Sequence, residues 1–469
     1  MKTPYCELIT TVSDEIVKTL LDTENNLATR ARLLDADIAE ITRQIGLETT
    51  KKVFEHVRDD LVKKKQDEGL VIQKSPVICF NTIFGPITLR SPYLWKKYDG
   101  STPLREFMNI THHGRSEAVN RALSDFGSEE SFRQAAKRFH EHYKYILHDS
   151  TVSRVTKQIA DDALNYVEHR FSHAEDQSRE EGTACSPVKQ MLVELDGCEI
   201  RTAVLVPVTE TQDAPSEADT PQKTQDASSE ADTPKKTQDA PSEADTPKKQ
   251  KLINWRDVRI GLARPLESKS SLYVGQKESY PDVVSDLVQA AVLQGMSSTT
   301  DVIGVADGGI GLREELERQF SGMQFILDYP HLKDHFYETA EALGLSPQER
   351  KAWVTPHLDA IWEGNVDSVM QELAKDYATH PQDRLRRLLG YLERFSDAVD
   401  YKRFTEQGYP IGSGEIESAH KAIPQKRLKL PGACWHPDSV NPMIALRILR
   451  ANEWWDDFWK EHTEQQLAA

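Results

Sequence analysis

The sequence lacks any long apolar run. No stretch approaches the eighteen or so apolar residues of a membrane-spanning helix, so no membrane association is expected. Cysteine is scarce: Cys6, Cys79, Cys185, Cys198 and Cys434 are scattered through 469 residues, with no CxxC pair. That argues against a zinc ribbon and against a disulfide scaffold. The opening "MKTPYCELITTVSDEIVKTL" has early acids and no apolar stretch ending in small residues, so no secretory signal is expected. A reducing cytoplasm is the expected setting. An excess of basic residues is also missing. The net charge of −17 taken alone argues against nucleic-acid binding, but the charge is unevenly distributed.

The length suggests several domains. Residues 9–68 carry Ile16, Leu20 and Leu21, then Leu33, Leu34, Ile38 and Ile41, at helical spacing. "PVICFNTIFGPITLRSPYLW" (76–95) predicts a β-hairpin centred on Gly85-Pro86. Residues 129–165 predict two helices around a short turn. Phe132, Ala136 and Phe139 line the first. Asp149 or Ser150 caps the second, whose inner face is Val152, Val155 and Ile159. Arg154 and Lys157 then face outward, with Thr151 and Ser153, as groups that could touch DNA phosphates and base edges. The plain alternative is an ordinary helix pair.

From 188 the pattern changes to mixed α/β. "KQMLVELDG", "EIRTAVLVPV" and "DVRIGLARPL" read as three strands, and "YPDVVSDLVQAAVLQG" as a helix turning Val284, Leu287, Val288 and Ala291 inward. "DVIGVADGG" and "MQFILDYPH" read as two buried strands, and 331–405 as mostly helical. Residues 211–249 interrupt this order with three near-identical thirteen-residue units of charge −2, −1 and −1, which leaves −13 elsewhere. Almost without apolar side chains, they are expected to be disordered. Stretching a hairpin loop from about four to about forty residues costs only roughly 2 kcal/mol, so the fold can tolerate them, with or without a role of their own.

Asp196 and Asp307 each follow an apolar strand and are expected at strand ends, with glycines behind them that let a bulky ligand approach. A third carboxylate would come from "GYPIGSGEIESAHKAIPQKRLK" (408–429), where Glu415 and Glu417 precede Lys421, Lys426, Arg427 and Lys429. Carboxylate oxygens without cysteine or paired histidines suit magnesium, with manganese as a substitute. A turn-forming Asp and a first-turn Glu favoured by the helix dipole are the plain alternatives.

"VELDGCEIR", "VIGVADGG", "FILDYPHLKDHF" and "PIGSGEIESAHKAIPQKRLKLPGACW" resemble, in order and wording, insertion-sequence transposases of the ISKra type, within the DDE class. The resemblance extends to the "TIFGPITLRSPY" hairpin, the helix pair after it and the closing "LRILRANEWWDDFW". It implies an α/β fold: a ribonuclease H-like mixed-sheet core (188–331 and 406–435) with a helical insertion (332–405) and the repeats (211–249). A mainly helical DNA-binding region would precede it, as helices (1–70) and then a hairpin with a helix-turn-helix-like unit (71–180). A C-terminal helix (436–469) would follow. It also implies a metal-binding catalytic triad of Asp196, Asp307 and Glu417. Asp328 and His331 match a D-x-x-H element, so His331 would contact the scissile phosphate or its neighbour; a capping Asp and helix-start His is the open alternative. Lys421, Lys426, Arg427 and Lys429, with Arg154 and Lys157, would hold double-stranded DNA. The partners implied are element ends, target DNA and further copies of the chain in a homodimer or larger oligomer. The setting implied is the bacterial cytoplasm, at the nucleoid.

Three features depart from the pattern. Pro424 should end or kink the helix about two turns past Glu417. Cys434 precedes Trp435 where a basic residue is expected, and no zinc motif precedes the hairpin. Two rival readings stand beside the transposase: a non-catalytic DNA-binding derivative acting as repressor or scaffold, and a metal-dependent repair nuclease.

Overall fold

The computed structural model describes residues 5–23, 34–110, 113–174, 188–207, 249–277 and 280–468. Leu33 and nearly all of the repeats therefore lie outside the described residues, as does Cys185. The chain is mixed α/β and divides into two compact units: Met1–Ile159 with Glu461–Ala469, and Ala160–Lys460. None of the described helices is long and apolar enough to cross a membrane.

The first unit opens with helices α1 (Cys6–Thr23) and α2 (Leu34–Asp67). Strands β1 (Val71–Lys74), β2 (Val77–Thr82), β3 (Gly85–Arg90), β4 (Tyr93–Lys96), β5 (Asp99–Ser101) and β6 (His113–Arg115) form two small sheets, ordered β1-β4-β5 and β3-β2-β6. The β2–β3 hairpin is present, but its turn is Ile83-Phe84, since Thr82 pairs with Gly85. Gly85 and Pro86 instead start β3, where φ at Gly85 is +136°, a value side chains resist. Ile78, Phe80, Ile87 and Leu89 alternate inward and pack with Leu104 of α3 (Pro103–Phe107) and with Leu47 and Phe54 of α2.

Helices α4 (Glu117–Glu129), α5 (Phe132–Tyr143) and α6 (Asp149–Ser172) follow. Ser116 and Ser131 cap α4 and α5 through Val119 N–H and Gln134 N–H. Val152, Val155 and Ile159 are buried as expected. The start of α6 differs: the His148 ring, not Asp149 or Ser150, accepts the Ser150 N–H at 3.2 Å.

The second unit is built on one five-stranded sheet, ordered β11-β10-β7-β8-β9. Its strands are β7 (Gln190–Pro207), β8 (Lys249–Pro265), β9 (Leu272–Lys277), β10 (Asp301–Ala306) and β11 (Gln324–Leu327). The first two expected strands are one: β7 runs unbroken through Asp196 and Gly197, because β8 pairs with it rung by rung from Met191↔Pro265 to Pro207↔Lys249. Strand β9, which the sequence reading missed, adds antiparallel to β8; β10 and β11 run parallel to β7. Helix α7 (Tyr280–Leu293) buries Val283, Val284, Leu287, Ala290 and Ala291, and α8 (Leu312–Gln319) lies between the parallel strands in sequence.

Between β11 and the glutamate-bearing helix come α9 (Tyr329–Ala342), α10 (Pro347–Trp362), α11 (Val366–Thr379), α12 (Asp383–Phe395) and α13 (Tyr401–Glu406). Then follow α14 (Gly414–His420), a π-helical turn (Lys421–Gln425) and the single turn α15 (Lys426–Leu428). The π turn explains how Pro424 is accommodated. Proline lacks the N–H that an α-helix would give to His420, and the widened turn carries the bond from Lys426 N–H back to Lys421 C=O instead. The chain closes with two helices, α16 (Val440–Ala451) and α17 (Trp455–Ala468). Helix α16 covers the free edge of β9: Asn441 Oδ1 accepts the Lys277 N–H and Asn452 Oδ1 the Tyr273 N–H, both at 2.8 Å.

Candidate functional site

Parallel pairing brings three aspartates to one level. The last β7–β10 rung is Leu195↔Ala306 and the last β10–β11 rung is Ala306↔Leu327. The next residues are Asp196, Asp307 and Asp328, on strands spaced about 4.8 Å apart. Asp307 and Asp328 lie at strand ends. Asp196 does not, since β7 continues past it, but it stands where β7 leaves β10 and one of its edges is released.

The three differ in surroundings. Asp328 is fully buried and caps α9 by accepting the His331 N–H at 2.7 Å. Its other oxygen accepts the Ser413 N–H at 2.6 Å and the Ser413 hydroxyl. Burial pushes its pKa up, but these bonds and His331 outweigh it and hold the carboxyl at about 2. The capping alternative for Asp328 is therefore what the fold contains. Its partner His331 sits with Nδ1 3.1 Å from Asp328 Oδ1, and this ion pair raises the imidazole to about 9, with Asp307 and Asp196 adding to the field. His331 is thus a half-exposed imidazolium beside the other two aspartates.

Asp307 accepts the Gly309 N–H at 3.0 Å, and Asp196 the Gly197 N–H at 2.6 Å. Burial raises the Asp196 pKa, and Asp307 adds to the rise while His420 and His331 oppose it. His420, on α14, faces Asp196 with Nε2 at 3.7 Å, and neither ring nitrogen makes a hydrogen bond. Burial lowers its pKa, and the Asp196 carboxylate opposes that shift.

Helix α14 is anchored to the sheet by much of the "GYPIGSGEIE" stretch. The Gln190 amide donates to the Tyr409 hydroxyl at 3.2 Å, and Tyr329 N–H to Ile411 C=O at 2.9 Å. Ser413 is tied to Asp328, and Ile416 N–H donates to Glu194 Oε2 at 2.8 Å. Glu194 lies on the same strand face as Asp196, and burial lifts its pKa to about 8. Glu415 is held by two bonds from Arg264, Nε at 2.8 Å and Nη2 at 2.6 Å. Glu417 is half-buried one turn before His420 on the same face, and among the described residues no hydrogen bond or ion pair engages its carboxylate. Among the described residues no three His, Cys, Asp or Glu side chains gather closely enough to hold a metal ion. The donor set itself, two aspartates on neighbouring strands and an unengaged glutamate, suits a hard divalent ion.

The proposed DNA contacts divide. Lys421, Lys426 and Lys429 are exposed on or just after the turns following α14, and Arg154 is exposed on α6 with Lys157 half-buried one turn on. Arg427 is a correction: it is only 3% exposed, its guanidinium 4.7 Å above the Trp435 ring, and burial lowers its pKa to about 10. It supports Trp435, which adds to β7 through Trp435 N–H to Arg201 C=O and Ala203 N–H to Trp435 C=O. Sequence reasoning missed Glu194, Arg264, Ser413, His420 and Tyr391. Their types are common and only the fold brings them to the ends of β7, β10 and β11 or to α14. No protein-family model and no curated protein matches the chain.

Proposed function

We propose that the chain is a DDE-type DNA transposase of an insertion sequence, built on a ribonuclease H-like core, which binds terminal inverted repeats and catalyses phosphodiester cleavage and strand transfer. The observation that carries this reading is that Asp196 and Asp307 stand at one level on neighbouring strands, with α14 anchored to the same sheet and its Glu417 unengaged. The sheet order, with β7, β8 and β9 antiparallel and β10 and β11 parallel to β7, supports the core assignment. Magnesium, or manganese in its place, would be held by Asp196, Asp307 and Glu417 and would supply Lewis-acid polarisation of a phosphoryl oxygen.

The protein's own groups do the rest. The His331 imidazolium offers a phosphate oxygen a charged donor next to the aspartates. Lys421, Lys426 and Lys429 hold the DNA backbone nearby, and Arg154 and Lys157 contact the repeat. Labelled element ends incubated with magnesium test the reading. The wild type should cut or join them, and Asp196→Asn should abolish this while end binding persists.

A non-catalytic DNA-binding derivative is the second reading. It is favoured by the failure of the three carboxylates to gather in the structure. It prevails if the wild type binds repeat ends and never cleaves.

A further inference from the structure

The helical segment between β11 and α14 reaches the site through Tyr391 of α12. A Cβ placed on Gly308, the residue after Asp307, would lie 2.1 Å from Tyr391 Cε2 and 2.6 Å from its hydroxyl oxygen. The edge of the phenol therefore rests on the backbone of the Asp307–Gly309 turn, and only glycine fits at 308. Neighbouring rings hold the phenol in place: His335 at 4.6 Å and Phe395 at 5.1 Å between centroids. Its hydroxyl is sealed from water and makes no hydrogen bond. Gly308 N–H lies toward it without reaching bonding geometry. A phenylalanine would fill the same space without burying an unpaired polar atom, so the hydroxyl calls for another explanation.

We propose that Tyr391 is a positioning residue for Asp307: its ring fixes the Asp307–Gly309 turn, and its hydroxyl is a donor in reserve for the Asp307 carboxylate when that group turns toward a bound cation. Hydrogen-bonded partners of a ligating carboxylate set its direction and basicity. The inference rests on the reading of Asp307 as a metal ligand. It adds that the helical insertion, and not the sheet alone, sets the aim of that ligand.

The test is manganese binding to the full-length chain without DNA, followed by electron paramagnetic resonance of the free ion, with thermal unfolding measured alongside. Tyr391→Phe should weaken manganese binding about tenfold while the melting temperature holds or rises, a pattern that a purely packing role would not produce. Gly308→Ala should weaken binding similarly, because the added methyl would drive the Tyr391 ring off the turn. Wild-type manganese affinity in Tyr391→Phe would overturn the hydroxyl's role, and wild-type affinity in Gly308→Ala the ring's. Asp307→Asn separates the two levels. If it binds manganese normally, the ligand assignment fails and the inference with it. If it loses binding while the Tyr391 and Gly308 variants keep theirs, the positioning role alone is wrong.

Discussion

Glu415 and Glu417 stand two residues apart on one short helix and have different roles. Arg264 takes up Glu415 in a two-point bond, and Glu417 is left unengaged. Glu415→Gln should therefore cost about 1–2 kcal/mol in chemical denaturation, as expected for a partly exposed two-point ion pair. Glu417→Gln should leave stability within about 0.5 kcal/mol and abolish strand cleavage. A reversed pattern would assign the catalytic role to Glu415. Ser413→Ala removes one of the bonds that hold Asp328 ionised in a buried site and should cost about 2 kcal/mol. At this scale the sequence named residue types that could carry chemistry, and the "GSGEIE" wording pointed to one stretch of them. It did not reveal that most of that wording anchors a helix, because Asp328, Glu194 and Arg264 are far away in the chain. Nor did it show that Arg427 is buried while Lys426 and Lys429 beside it are exposed, since that depends on where Trp435 docks.

Among the elements, the apolar strands and the amphipathic helices were legible from their periods, and β10, β11 and α7 lie close to where those periods place them. The fusion of two expected strands into β7 was not, since Asp196-Gly197 reads as a turn until β8 pairs across it. Strand β9 escaped because "LYVGQK" is short and flanked by polar residues, and its stability comes from β8 on one side and α16 on the other. Asn441→Ala or Asn452→Ala should each cost about 1 kcal/mol by leaving a β9 N–H unpaired.

Helix α7 carries a titration of its own. Burial, with Glu168 and Asp282 nearby, raises Asp286 to about 7. The folded state then holds its proton more tightly than the unfolded state, whose pKa is near 4. This group's stabilising contribution is complete below about pH 4, falls as pH rises toward about 7, and is lost above it. Asp286→Asn should remove that slope and raise stability at pH 8 by about 1–3 kcal/mol, read from denaturation midpoints across pH.

For the whole molecule, the proposed pairing of two element ends requires more than one copy of the chain. Helix α1 leaves Leu8, Ile9, Val17 and Leu21 more than half exposed and forms with α2 a cleft of about 330 Å³ lined by Val12, Ile16, Ile41 and Ile45. Exposed apolar surface of this kind fits the proposed contact between copies. Sedimentation velocity of the wild type should show a dimer or larger species, and Ile9→Glu with Leu21→Glu should shift it toward monomer. A monomeric wild type would remove this support. Deleting 211–248 should leave the melting temperature within a few degrees, because Pro207 and Lys249 already pair as the last rung of the hairpin.

By itself the sequence determined the alternation of helix and strand, the tolerance of a long polar insert, and the short list of acids that could do chemistry. These follow from local periodicity and composition, which every segment carries within itself. Only the tertiary structure decided which acids share a level, which cation is buried and which glutamate is left unengaged. Those outcomes depend on strand register and helix docking, where residues hundreds of positions apart compete for the same hydrogen bonds.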